Sequence, residues 1–99
     1  MRKIIWLDSA VNDIVRLREF IAVKNAVATK KAAETLKQAT NKLVQTPLIG
    51  KPDTNLPEYR DLYIRFGAAG YVLRYRVYYE KIYIVSIRHY RESGFKSGD

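Results

Sequence analysis

RDLYIRFGAAGYVLRYRVYYEKIYIVSIRHY, Arg60 to Tyr90, is the stretch that decides the fold. From Arg60 to Phe66 the chain alternates. Leu62, Ile64 and Phe66 take one face and Asp61, Tyr63 and Arg65 the other, the period-two pattern of a half-buried strand. Gly67 to Gly70 reads as a turn, because glycine tolerates positive φ. From Tyr71 to Tyr79, the residues Tyr71, Leu73, Tyr75, Val77 and Tyr79 share one face. Val72, Arg74, Arg76 and Tyr78 share the opposite one. Glu80-Lys81 reads as a second tight turn, and Ile82 to about Tyr90 as a third strand. Three short strands joined by short turns predict an antiparallel meander.

Upstream of the meander the period changes. KIIWL, Lys3 to Leu7, is a short branched run that reads as a strand. Asp8 or Ser9 is placed to cap a helix. From Ala10 to about Val23, Val11, Ile14, Leu17 and Ile21 recur at three- and four-residue spacing. Asn25 is expected to cap a second helix, Ala26 to Gln45, with Ala32, Leu36, Ala39 and Leu43 on its apolar side. Pro47 ends it, since proline cannot extend the helical ladder. PLIGKPDTNLPEY, with three prolines and one glycine, reads as a loop crossing the domain. The expected order is β-α-α-β-β-β: an α+β fold with a helical hairpin packed on a mainly antiparallel twisted sheet. Residues 1–99 make one domain, and SGFKSGD at 93–99 is expected to be a flexible tail.

Charge narrows the partners. The chain carries 18 Lys and Arg against 10 Asp and Glu, a formal net charge of +8. Such a chain is drawn to polyanions or to an acidic protein. It has no cysteine, which removes disulfides and thiolate metal sites and suits the cytoplasm. The N-terminal apolar run is too short for a membrane span or a signal peptide. In the later strands arginine dominates: Arg60, Arg65, Arg74, Arg76, Arg88 and Arg91, with Lys81 as the only lysine among them. Guanidinium forks onto carboxylate or phosphate and stacks on rings. Tyr59, Tyr63, Tyr71, Tyr75, Tyr78, Tyr79, Tyr83 and Tyr90 are interleaved with these arginines, the composition of a recognition surface.

His89 is the single histidine. Metal-free RNA cleavage needs a base, an acid and cations for the phosphorane. Arg88, His89, Tyr90 and Arg91 include all these groups. In a regular strand, however, neighbours point to opposite faces, so His89 and Tyr90 cannot both meet one substrate, and His89 pairs more naturally with Arg91. There is no Ser-His-Asp set, no glycine-rich phosphate loop and no cluster with metal-ligand spacing. No cofactor is expected.

Taken in order, these segments resemble the RelE/ParE superfamily of toxins from type II toxin-antitoxin modules, and the ParE branch most closely. WLDSAVNDIVRLREFIA resembles the family's first strand and helix, TPLIGKP the loop that ends the hairpin, LPEYRDL with FGAAGYVLRYRV the central hairpin, and IVSIRHYRESGF the closing strand. The resemblance implies a toxin that inhibits DNA gyrase by protein contact, without cutting a bond itself, and that stabilises a plasmid or chromosomal segment. It further implies an acidic ParD-like antitoxin with a ribbon-helix-helix end, through which alone the pair meets promoter DNA. Arg60, Arg74, Arg76, Arg88, His89 and Arg91 are then the expected target-binding residues. The helical hairpin and its groove, with Ile14, Leu17, Arg18, Ile21, Leu36, Leu43 and Tyr75, are the expected antitoxin contact. The alternative within the superfamily is a RelE-type, ribosome-dependent mRNA endoribonuclease using His89, Arg60, Arg74, Arg91 and Tyr90. Adjacent His89-Tyr90 is similar to the ending of some mRNA-cleaving members. Against it, nine residues follow Tyr90 and the central strands lack lysines.

Overall fold

A computed structural model describes residues 2–22, 26–66 and 69–89. Asn25, the Gly67-Ala68 part of the first turn, Tyr90, Arg91 and the 93–99 tail lie outside them. The elements run β1 (Lys3–Trp6), α1 (Asp8–Ala22), α2 (Ala26–Gln45), β2 (Lys51–Pro52), β3 (Arg60–Phe66), β4 (Ala69–Tyr78) and β5 (Lys81–His89). They form one five-stranded sheet of order β1-β5-β4-β3-β2. β1 is parallel to β5 and the other pairings are antiparallel. The expected α+β architecture is therefore present, with one added strand. β2 lies inside the proline-rich loop and pairs with Asp61 and Arg60. Pro52 is tolerated there because an edge strand can spare a donor.

The helices cover one face of the sheet. Ala10, Leu17, Ala32, Leu36 and Leu43 pack on Ile64, Tyr71, Leu73, Tyr75, Ile82, Ile84 and Ile87, with Ile4, Trp6, Ile14, Ala39, Leu62 and Val77 around them. The buried row of α2 is the one its spacing predicts. On α1 it is Ala10, Ile14 and Leu17; Val11 is 45% exposed, because the helix is turned so that small Ala10 meets the sheet. The helix also starts earlier than the capping pattern implies. The Leu7 carbonyl accepts from the Ala10 and Val11 amides, so the cap falls on Leu7 and Ser9 is released for another task.

That task is on β5. β1 leaves the sheet after Trp6 pairs with Ile84, and Leu7 donates its amide to the Ile84 carbonyl. Beyond that point no strand among the described residues lies beside the outer edge of β5. Side chains of α1 take its place. Ser9 Oγ donates to the Val85 carbonyl at 2.6 Å, Asp13 Oδ2 accepts the Ile87 amide at 2.9 Å, and the Arg16 guanidinium donates to the Ile87 carbonyl at 3.0 Å. Arg16 also pairs with Asp13 at 3.2 Å. The clamp sits at a register shift: Arg74 pairs with Ser86 but Tyr75 pairs with Ile84, so Val85 is the extra residue of a bulge. The bulge moves Ile87 and His89 onto the same face as Ile82 and Ile84.

The second turn also differs from its reading by one residue. Tyr78 pairs with Lys81, which leaves Tyr79-Glu80 as the two-residue turn. Tyr79 adopts φ 54°, a left-handed conformation that costs a non-glycine residue about 1–2 kcal/mol. It therefore stands 80% exposed at the hairpin tip instead of sharing the face of Tyr71.

Two outcomes follow from this geometry. Asp13→Ala strands a buried amide and should lower unfolding free energy in urea by about 1–3 kcal/mol, while Asp13→Asn keeps an acceptor and should lose less. Tyr79→Gly should raise stability by roughly 1 kcal/mol by relieving the turn; an unchanged or lower midpoint would count against strain there.

Candidate macromolecular interface

Cross-strand register sorts the functional side chains onto two faces. Arg60 pairs with Tyr75, and His89 with Tyr71, on the helix-covered face. Asp61, Arg74, Arg76 and Arg88 belong to the opposite face, away from the helices, where Val72 and Ser86 are nonetheless buried. The six expected target-binding residues are thus not brought together, and Arg91 lies outside the described residues.

Each placed member has a distinct environment. Arg60 sits at the rim and donates to the Leu48 and Gly50 carbonyls, at 3.2 and 2.7 Å, fastening the loop after α2 to β3. Tyr75 completes that fastening from the core. Its hydroxyl donates to the Pro47 carbonyl at 2.7 Å and accepts the Gly50 amide at 2.8 Å. Burial pushes the Tyr75 phenol up, partly offset by the Gly50 hydrogen bond and the Arg60 charge. Gly50 lies so close that a Cβ there would stand 2.6 Å from the Tyr75 ring. His89 is 7% exposed, with its ring edge-on to Tyr71 at 5.4 Å. Tyr71 itself is fully buried, and desolvation raises its phenol to about 12.

On the face away from the helices, Arg74 is held by two carboxylates. Nε and one terminal nitrogen fork onto Asp61 at 2.9 and 3.1 Å, and a terminal nitrogen also reaches Asp53 at 2.9 Å. Hydrogen bonding to Asp61, with the two negative charges, raises the guanidinium further above neutrality despite its burial. Asp53 also accepts the amides of Asn55 and Leu56, at 3.0 and 2.8 Å. The Leu56 hydrogen bond, then that from Asn55 and the attraction of Arg74, hold its carboxyl below the usual value against desolvation. Arg76 has a different setting: its guanidinium lies over the Tyr78 ring, 5.6 Å from the centroid. Beside it is a concavity of roughly 420 Å³ lined by Leu7, Tyr59, Arg76, Tyr78, Tyr83 and Val85.

The expected antitoxin contacts fall differently from their reading. Leu17, Leu36, Leu43 and Tyr75 are core residues, each under 10% exposed, and Ile14 packs against them. The apolar stripe faces the sheet because that burial holds the helices in place. Arg18 is exposed, and the Ile21 side chain lies outside the described residues. Sequence reading missed Asp53 and Asp61 as the partners of Arg74. The signal available was Asp61 in the strand neighbouring Arg74; Asp53, in a loop, gave none. Among the described residues, no cluster of three His, Cys, Asp or Glu is placed to hold a metal, and no helix is long and apolar enough to cross a membrane.

The depressed Asp53 carboxyl has a pH consequence. A carboxyl whose folded value is lowered adds stability above its ordinary value of 3.8, and loses it as pH falls through the lower folded value. Acid titration of the wild type should show that loss below about pH 4. Asp53→Asn should remove this part of the slope, and NMR of the Asp53 carboxyl should report a midpoint under 3.8.

Comparison with known proteins agrees with the geometry. A family model described as "ParE toxin of type II toxin-antitoxin system, parDE" matches residues 4–94. A Caulobacter vibrioides protein named Toxin RelE3 is 34% identical over 80 residues, covering 81% of this chain and 85% of that protein. A solved chain from a structure titled "Chromosomal ParDE TA system from P. aeruginosa" superposes with a TM-score of 0.75 at 21% identity, covering 90% of this chain and 96% of that one. At that identity it supports the fold. With the family model spanning almost the whole chain and the helical hairpin seated on a matching sheet, the chain belongs to the ParE toxin family of type II toxin-antitoxin systems.

Proposed function

We propose that this chain acts in the cytoplasm as a toxin that inhibits DNA gyrase by protein contact, and that an acidic ParD-like antitoxin silences it. The observation that supports a non-enzymatic reading is the division of charge between the faces. His89 is packed against Tyr71 on the helix side, while Arg74 and Arg88 lie on the other side of the sheet. A phosphate approaching Arg74 must displace two carboxylates already bound to it. General acid-base cleavage needs base, acid and cation around one scissile bond. Arg60, the remaining cation of the nuclease set among the described residues, is committed to loop carbonyls.

The antitoxin contact stays on the helical hairpin but moves to its outer side. Val11, Val15 and Arg18 recur at helical spacing on the exposed side of α1 and suit an amphipathic acidic segment. A second reading, ribosome-dependent mRNA cleavage, draws on the name of the Caulobacter vibrioides relative, Toxin RelE3.

Supercoiling by purified gyrase, with and without the protein, tests the choice. The expected result is blocked supercoiling with accumulation of cleaved DNA. Normal gyrase turnover, together with mRNA cuts in translating extract that vanish in His89→Ala, would replace this reading with the nuclease.

A further inference from the structure

The concavity beside Arg76 is not explained by folding. Its lining crosses the face away from the helices, from the end of β1 to the start of β3. Leu7 and Val85 supply aliphatic walls, and Tyr59, Tyr78 and Tyr83 supply rings. At its lip the hairpin holds Tyr79 at φ 54°, 80% exposed, with its ring edge-on to Tyr78 at 4.6 Å. Exposed Tyr79, in its left-handed conformation, and half-exposed Tyr78 stand together beside the Arg76 cation. They are the usual makings of a binding hot spot.

We infer that this groove docks an acidic peptide segment of a protein partner, with an apolar side chain entering between Leu7, Tyr83 and Val85 and a neighbouring carboxylate meeting Arg76. The volume accommodates one or two side chains of that kind. Charge selects the occupant. Arg76 has a ring beneath it and no carboxylate partner among the described residues. On the same strand, Arg74 is neutralised by Asp53 and Asp61. A nucleic-acid strand needs cations in series along its phosphates. Here the next cation along the strand is cancelled by two acids, which would repel a continuing phosphate backbone. One available guanidinium bordered by aliphatic surface fits a single carboxylate next to an apolar anchor.

This inference rests on the contact reading above and narrows it to one groove and one chemistry, so its test is separable from the gyrase assay. A random dodecapeptide library is panned on the immobilised full-length chain, and selected peptides are measured by fluorescence anisotropy beside a 12-nucleotide single-stranded RNA. Selected peptides should carry Asp or Glu next to a large apolar residue. Arg76→Ala and Tyr83→Ala should each weaken them about tenfold, with circular dichroism and thermal midpoint unchanged for Arg76→Ala. Peptides without acidic enrichment, binding indifferent to Arg76→Ala, or RNA bound more tightly and lost in Arg76→Ala would each overturn the groove. Gyrase blocked equally by wild type and Arg76→Ala, with no acidic peptide selected, sinks the groove alone. Acidic peptides lost in Arg76→Ala, with gyrase untouched by the wild type, sink the gyrase reading alone.

Discussion

The grip of α1 on the edge of β5 is the constraint on which the rest depends. A strand flanked on one side only leaves polar backbone groups to satisfy, and a buried orphan costs as much as a lost hydrogen bond. β1 covers β5 as far as Ile84 and then turns away. Ser9, Asp13 and Arg16 take over at Val85 and Ile87. Because these three residues lie on successive turns of one helix, the contacts also fix its rotation. That rotation sends Ala10, Ile14 and Leu17 into the core and leaves Val11 and Val15 outside. The bulge at Val85 belongs to the same arrangement, since it brings Ile87 under the helix and sets which face His89 joins.

The sheet then separates two kinds of polar work. On the covered side, polar groups fasten structure: the Tyr75 hydroxyl and Arg60 together bind the carbonyls and amide of the loop after α2, and Gly50 allows that approach. On the face away from the helices the same residue types meet different surroundings. Two arginines two positions apart on β4 have opposite fates there. Arg74 is consumed by Asp53 and Asp61, while Arg76 rests on a ring at the border of a hollow. Arginine count alone therefore overstates the positive potential of this face.

Much of the fold was legible because apolar spacing is a direct record of burial. Alternation located β3, β4 and β5, and four-three-four spacing located the buried side of α2. The misreadings occur where tertiary contacts override local pattern. Val11 sits in a valid helical stripe, yet the pull of the β5 edge rotates it to the surface. β2 is too short, and contains Pro52, so only its pairing with Arg60 and Asp61 defines it. Tyr79 continues the alternation of β4, and nothing in its identity announces a left-handed turn. The site was less legible, because a list of arginines carries no information about which face each joins. Counting GAAG wholly as turn hides that β4 begins at Ala69 and that Gly70 lies against the Ile64 carbonyl. That offset is what sets Asp61 opposite Arg74.

The parallel ladder between the first strand and the last has a kinetic meaning. Lys3 to Trp6 find their partners only at Lys81 to Ile84, nearly the whole length of the chain away. A ribosome releases the opening strand long before the strand it needs. Until Lys81 to Ile84 have been made, that strand has nowhere to go, and the edge that α1 will clasp does not exist. The β1 edge therefore closes after the β3-β4-β5 hairpins, which need only near neighbours, because distant pairing must first meet its loop-closure cost. An unfinished polypeptide of this kind carries the charges of the mature protein without the surface that arranges them.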